Sequence, residues 1–148
     1  MREFKIFVDW KKEEEFRLTV HDFPEILVGP SAPEGQKPLY ITPIDLFIGS
    51  IATCIAITFK KLCDKGRVEL VDLKVEASGP LTPVPEESTS RVEEVNIKLY
   101  VVLNDEKHLG KVKRFFKLAR EKCPIGYSIA GSPPVKAELK AYVLSKEG

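Results

Sequence analysis

"TPIDLFIGSIATCIAITFKKLCDKG" runs from Thr42 to Gly66 and decides how the rest of the chain is read. Thr42 is an N-cap residue, Pro43 suits the first helical position, and Asp45 can close a short capping box. Lys60, Lys61 and Lys65 complement the negative end of a helix, and Gly66 stops it. Between Leu46 and Ile57 the helix is apolar around most of its circumference, so it should be buried on all sides. Gly49, Ser50, Ala52 and Ala56 are small enough to let another backbone approach closely. Two solutions follow: the helix packs against a second copy of the chain, or the domain's own sheets cover it. Two of the chain's three cysteines, Cys54 and Cys63, lie here.

Outward from that helix the elements are short. Phe4–Trp10, Phe16–Val20 and Glu25–Gly29 read as strands, followed by a Pro- and Gly-rich loop at Pro30–Pro38. Val68–Gly79 alternates and reads as a strand, Leu81–Ser90 as a loop, and Arg91–Asn104 as a long strand hairpin-paired with the one before. Asp105 can cap a second helix reaching Lys122, with a helical turn over Pro124–Ala130 and a last strand over Val135–Ser145. The order β-β-β-α-β-β-α-β, with mostly hairpin-linked strands, predicts an α+β fold with antiparallel sheet.

Composition narrows the classes. The chain has 148 residues, read as one domain over 1–148, with 43% hydrophobic and 30% charged residues and a formal net charge of +1. That balance gives no basic excess to attract nucleic acid or an anionic membrane. The first residues lack the apolar stretch of a signal peptide. The longest apolar run, Leu46–Phe59, falls short of the ~18 residues of a membrane span. Three widely spaced cysteines do not make a secreted disulfide framework, so a cytoplasmic protein with reduced thiols is expected. One Gln and two Asn beside many Lys and Glu hint at a thermophilic source. There is no G-x-G-x-x-G or P-loop pattern.

Helix geometry sorts the cysteines. Cys54 and Cys63 stand nine residues apart, about 13.5 Å along the axis and half a turn around it, too far for a disulfide. Cys63 reads as packing. An intrachain redox pair must then join Cys123 to one of the other two. Cys123 precedes Pro124, is a plausible N-cap, and has Arg120 and Lys122 nearby; the helix dipole and those cations should lower its pKa. Apolar burial disfavours a thiolate, so Cys54 is either core packing or a nucleophile served by a cation from another element. No pair among Cys54, Cys63, Cys123, His21 and His108 has zinc-finger spacing. His21, in a turn, and His108, at a helix start, read as solvated.

Two motifs resemble one family. "TPIDLFIGSIATC" (Thr42–Cys54) and "AREKCPIGYSIAG" (Ala119–Gly131), with their cysteines 69 positions apart, resemble the OsmC/Ohr family, named for osmotically inducible protein C and organic hydroperoxide resistance. The resemblance spans nearly the whole chain and implies an intertwined homodimer, with antiparallel sheets around long central helices and active sites at the subunit interface. It implies thiol peroxidase chemistry on organic hydroperoxides without metal, flavin or other cofactor. By position, Cys54 is then the peroxidatic thiol and Cys123 the resolving thiol, with a dithiol or lipoyl-type reductant restoring both. The family's peroxidases carry a Glu ten residues before the first Cys, orienting an Arg from the N-terminal half. Here that position is Ile44, with Asp45 beside it, and Arg17 is the central N-terminal arginine. Arg17 and Asp45 are the candidate electrostatic partners. Their ordinary structural roles are a helix cap for Asp45 and an exposed strand position for Arg17. The pattern is closer to the OsmC-like branch. The alternative function is accordingly a dimer with little peroxidase activity that binds a small apolar or thiol ligand at its interface.

Overall fold

The computed structural model describes residues 1–144. Ser145, the expected end of the last strand, lies outside them. The chain forms two compact units, Met1–Phe47 and Ile48 onward.

The first unit is a three-stranded antiparallel sheet in the order β1 (Phe7–Lys12), β2 (Glu15–Thr19), β3 (Ile26–Val28). Val8 pairs with Leu18 and Leu18 with Ile26; Trp10 pairs with Phe16 and Phe16 with Val28. Because side chains alternate across a strand, these six apolar residues share one face. Most of that face is open: Val8 is 62% and Trp10 67% exposed. Beneath it lies an apolar cavity of about 670 Å³ lined by Val8, Phe16, Leu18, Val28, Pro43 and Leu46. The other face is mixed and carries Asp9, Arg17 and Leu27 in register.

The long helix α1 spans Pro43–Lys65. Its expected cap forms: Thr42 N–H donates to Asp45 Oδ2 at 2.8 Å, and Asp45 N–H donates to Thr42 Oγ1 at 3.2 Å. These bonds satisfy donors that the first helical turn leaves free. At the other end the stop differs from the glycine stop expected. Arg67, not Gly66, takes the left-handed conformation, with φ of 57°. Arg67 N–H donates to Asp64 O at 3.2 Å and Val68 N–H to Cys63 O at 2.8 Å, the paired bonds of a Schellman motif. Gly66 serves a different need, because a Cβ there would stand 2.5 Å from the Phe115 ring.

In the second unit β4 (Leu70–Ser78), β7 (Val95–Leu103) and β8 (Val135–Val143) form a sheet in the order β4-β7-β8. The central β7 buries Val95, Ile97, Leu99, Val101 and Leu103 on one face. The core is completed by Ile51, Ile55, Phe59 and Cys63 of α1 and by Val112, Phe115, Phe116 and Ala119 of α2 (Leu109–Lys122). The architecture is α+β.

Three expectations are corrected here. Leu81–Ser90 is not a loop: β5 (Leu81–Val84) and β6 (Thr89–Val92) make a separate hairpin around a 3-10 turn at Pro85–Glu87. Pro83 disguised it, yet a two-stranded ribbon is all edge and tolerates proline. The long strand read over Arg91–Asn104 is therefore two strands. β8 pairs with β7 in parallel, not antiparallel. The chain returns to the same end of the sheet through helices, and such a crossover makes neighbouring strands parallel.

Two helical expectations also change. Asp105 caps a 3-10 turn at Glu106–His108, accepting from Lys107 N–H at 3.0 Å, and α2 proper begins at Leu109. Nor is α1 buried on all sides within one chain: Ile51, Ala52, Ile55, Phe59 and Cys63 are inside, while Ile57 is 52% exposed. By length and composition α1 would reach across a bilayer. A core helix passes the same test, and its buried stripe lies in the core of the second unit.

Candidate active site

The site is built where α2 ends. Pro124 disfavours the helical conformation for the residue before it, so Cys123 turns extended, with φ of −61° and ψ of 118°. It closes α2 and opens α3 (Pro124–Ile129) at once. Its N–H donates to Ala119 O at 3.0 Å and its carbonyl accepts from Tyr127 N–H at 2.9 Å. Its Sγ accepts the Gly126 N–H at 3.4 Å, a weak sulfur version of an N-cap bond. The sequence signal for this is the spacing of C-P-I-G, which puts the N–H of the third helical residue over the cap.

Cys54 comes to this corner from the middle of α1. The two thiols are free, and Cys54 lies close enough to Cys123 to act on its thiol. Cys54 is half-buried, whereas Cys123 is fully buried. Burial pushes the Cys123 thiol up first, then the neighbouring Cys54 thiol, while the N–H groups of Gly126 and Ile125 pull it down. This corrects the expectation of a lowered pKa. The cap forms, but desolvation and a neighbouring thiol outweigh it. The Arg120 guanidinium lies 6.0 Å from the Phe116 ring centroid, and Lys122 is exposed.

A cavity of about 360 Å³ adjoins this corner. Ile51 and Ile55 supply apolar wall from α1, Gly126 and Val135 line another part, and Lys117 and Arg120 contribute from α2. Such a lining accepts a small apolar molecule with a polar end.

The remaining candidates have surroundings of their own. Cys63 is fully buried, and its thiol is pushed up to about 11 by burial and then by the charge of Asp64. Arg17 belongs to the first unit, where its Nε stands 3.5 Å from Glu25 Oε2. Asp45 is occupied by the α1 cap. Ile44 is half-buried in the first turn of that helix. His21 is exposed in a turn of left-handed φ, and His108 sits half-buried at the N-cap of α2.

Comparison with known proteins gives the following. The profile of a family described as OsmC-like protein matches residues 34–138. A hypothetical protein from Aquifex aeolicus VF5 superposes with a TM-score of 0.77 at 22% identity, over 98% of this chain and 100% of that one. An OsmC-like protein from Mycoplasma pneumoniae gives a TM-score of 0.75 at 14% identity, over 97% and 99%. An organic hydroperoxide resistance protein from Elizabethkingia anophelis gives 0.68 at 12% identity, over 97% and 99%. No curated protein matches the sequence. At these identities the solved structures establish the fold.

Proposed function

The chain belongs to the OsmC-like protein family, and on that footing we propose that it is a thiol-dependent peroxidase of organic hydroperoxides. The observation that carries this reading is the nearness of Cys54 to Cys123, close enough for one thiol to act on the other although they stand 69 positions apart in sequence. Cys54, as thiolate, attacks the distal oxygen of the hydroperoxide. The O–O bond breaks, the alkoxide leaves and takes a proton to become the alcohol, and Cys54 is left as a sulfenic acid. Cys123 attacks that sulfur, water leaves, and a Cys54–Cys123 disulfide forms. A dithiol, lipoyl-type or similar, returns both thiols by exchange and is itself oxidised to a disulfide. No metal or other cofactor takes part. The Ile51 and Ile55 wall favours an alkyl substituent over hydrogen peroxide.

The same reading includes a cytoplasmic homodimer. Three free cysteines suit a reducing compartment. The open apolar face of Val8, Trp10, Phe16 and Ile26, together with exposed Ile57 on α1, supports cover by a second copy. The family match crosses the boundary between the two units, which supports one OsmC-like domain over residues 1–148.

One assay tests the chemistry. The reduced protein is mixed with cumene hydroperoxide and dithiothreitol, and peroxide loss is followed. Turnover that Cys54→Ser abolishes is expected; equal, slow loss with wild type and variant defeats the reading. A monomeric mass by light scattering at micromolar concentration defeats the dimer.

A second reading keeps the dimer but not the strong activity. Ile44 stands where the family's peroxidases have a carboxylate, and Asp45 is engaged in its cap. A chain without that charge arrangement would use the corner to hold a small apolar or thiol ligand. The peroxide assay separates the two.

A further inference from the structure

We propose that the cavity lined by Lys117 and Arg120 selects its ligands by head-group charge, taking an apolar chain that ends in an anion such as a carboxylate. Lys117 and Arg120 are the selecting residues. The inference names a ligand class for the corner and holds for either reading above, since neither thiol takes part in it.

The lining divides into two chemistries. Ile51 and Ile55 of α1 and Val135 of β8 are apolar, and Gly126 and Gly131 add no side chains. All the charge comes from α2, as Lys117, Arg120 and Glu121. Two cations against one carboxylate leave the lining positive. Lys117 and Arg120 stand three residues apart, so they lie about 60° apart around α2 and ~4.5 Å apart along it. Side chains at that spacing are neighbours and can hold one carboxylate between them. Both are exposed, and among the described residues neither forms an ion pair. The Arg120 guanidinium rests near the Phe116 ring, a contact that holds it in place without neutralising its charge.

The charge is local to this helix. α2 holds six of the chain's 23 Lys and Arg but one of its 22 Asp and Glu. The whole chain carries only +1, so the remainder is acidic on balance. An anion is therefore drawn to α2 over the rest of the surface.

A second copy on α1 leaves this arrangement in place. Ile57, the exposed apolar residue there, lies about 120° around the helix from Ile51 and about 160° from Ile55. A partner seated over Ile57 approaches a different side of α1 from the one that lines the cavity.

The head group then decides affinity. A carboxylate gains charge-assisted hydrogen bonds from both cations. An alcohol keeps the apolar contacts and loses those bonds, and an ammonium meets two like charges.

The test uses octanoate, 1-octanol and octylamine, which share one chain length and differ in head charge. Each is titrated at pH 7 and low salt into the reduced full-length protein labelled with nitrogen-15, and the backbone amide shifts are followed. Octanoate should move Gly126, Gly131 and Val135 and bind about tenfold tighter than octanol, with octylamine weakest. Lys117→Gln should weaken octanoate about threefold, and Lys117→Gln with Arg120→Gln about tenfold, to the level of octanol. Lys117→Arg should keep the preference, and Glu121→Gln should tighten octanoate about twofold. Equal affinities for the three ligands, or no binding of any of them, overturn the proposal. So do shifts confined to another part of the chain, or an octanoate preference that the double variant leaves intact. None of the three is a peroxide, so the peroxidase reading stands or falls separately. Octanoate selection without turnover of cumene hydroperoxide removes that reading alone, and turnover without octanoate selection removes this proposal alone.

Discussion

Raising the pH should destabilise this protein through Cys63, a residue outside the proposed chemistry. Its thiol is fully buried, and its pKa is pushed from 9.0 to about 11, first by burial and then by the charge of Asp64. In the unfolded chain the same thiol ionises near pH 9, while in the folded chain it keeps its proton. The folded state therefore binds more protons between those values, and stability falls as pH rises through them. Below pH 9 the full stability is present. A gap of two pH units corresponds to about 3 kcal/mol in the limit, and about 2 kcal/mol is already lost at pH 11. Other groups titrate in this range, so the measurement is a difference between wild type and Cys63→Ala. Urea unfolding under a phosphine reductant, followed by circular dichroism at several pH values from 7.5 to 11, gives both stabilities. At neutral pH the variant should be less stable by about 1 kcal/mol, from the small cavity it leaves. By pH 11 the order should reverse, with the variant ahead by about 1 kcal/mol. A difference constant to within about 0.5 kcal/mol across the range would refute the reasoning.

Three further outcomes follow from the fold. Gly66→Ala sets a methyl 2.5 Å from the Phe115 ring and should cost about 1–2 kcal/mol by urea melts; Phe115→Leu in the same chain should recover part of it. Thr42→Ala removes one half of the α1 capping box and should cost about 1 kcal/mol in the same assay. Leu99→Ala empties a 0%-exposed position on the central strand and should cost about 2–5 kcal/mol, seen as a lower midpoint at unchanged slope.

The residues that were legible in the sequence are those whose partners are close by in sequence. Thr42 and Asp45 find each other within one turn, so the start of α1 could be read directly. Cys54 and Cys63 are separated by helix geometry alone. The end of α1 was misread in detail because Gly66 answers to Phe115, about fifty residues on, and leaves the left-handed position to Arg67. The β5–β6 hairpin was hidden by Pro83, since proline signals a break unless the strand is known to be an edge. Cys123 shows the same divide within one residue. Its N-cap role follows from Pro124 and Gly126, whereas its burial and its contact with Cys54 come from packing, and these reverse the direction of its pKa.

By itself, then, the sequence determined the helix around Cys54, the α+β class, and the two cysteine segments that mark the family. All of these depend on local propensity, capping and spacing, which act within a few residues. The tertiary structure alone decided that β8 runs parallel to β7, that Cys123 is buried while Cys54 stays half-buried, and that the two thiols come close together. Those facts arise from desolvation and from contacts between residues far apart in the chain, and no local pattern encodes either one.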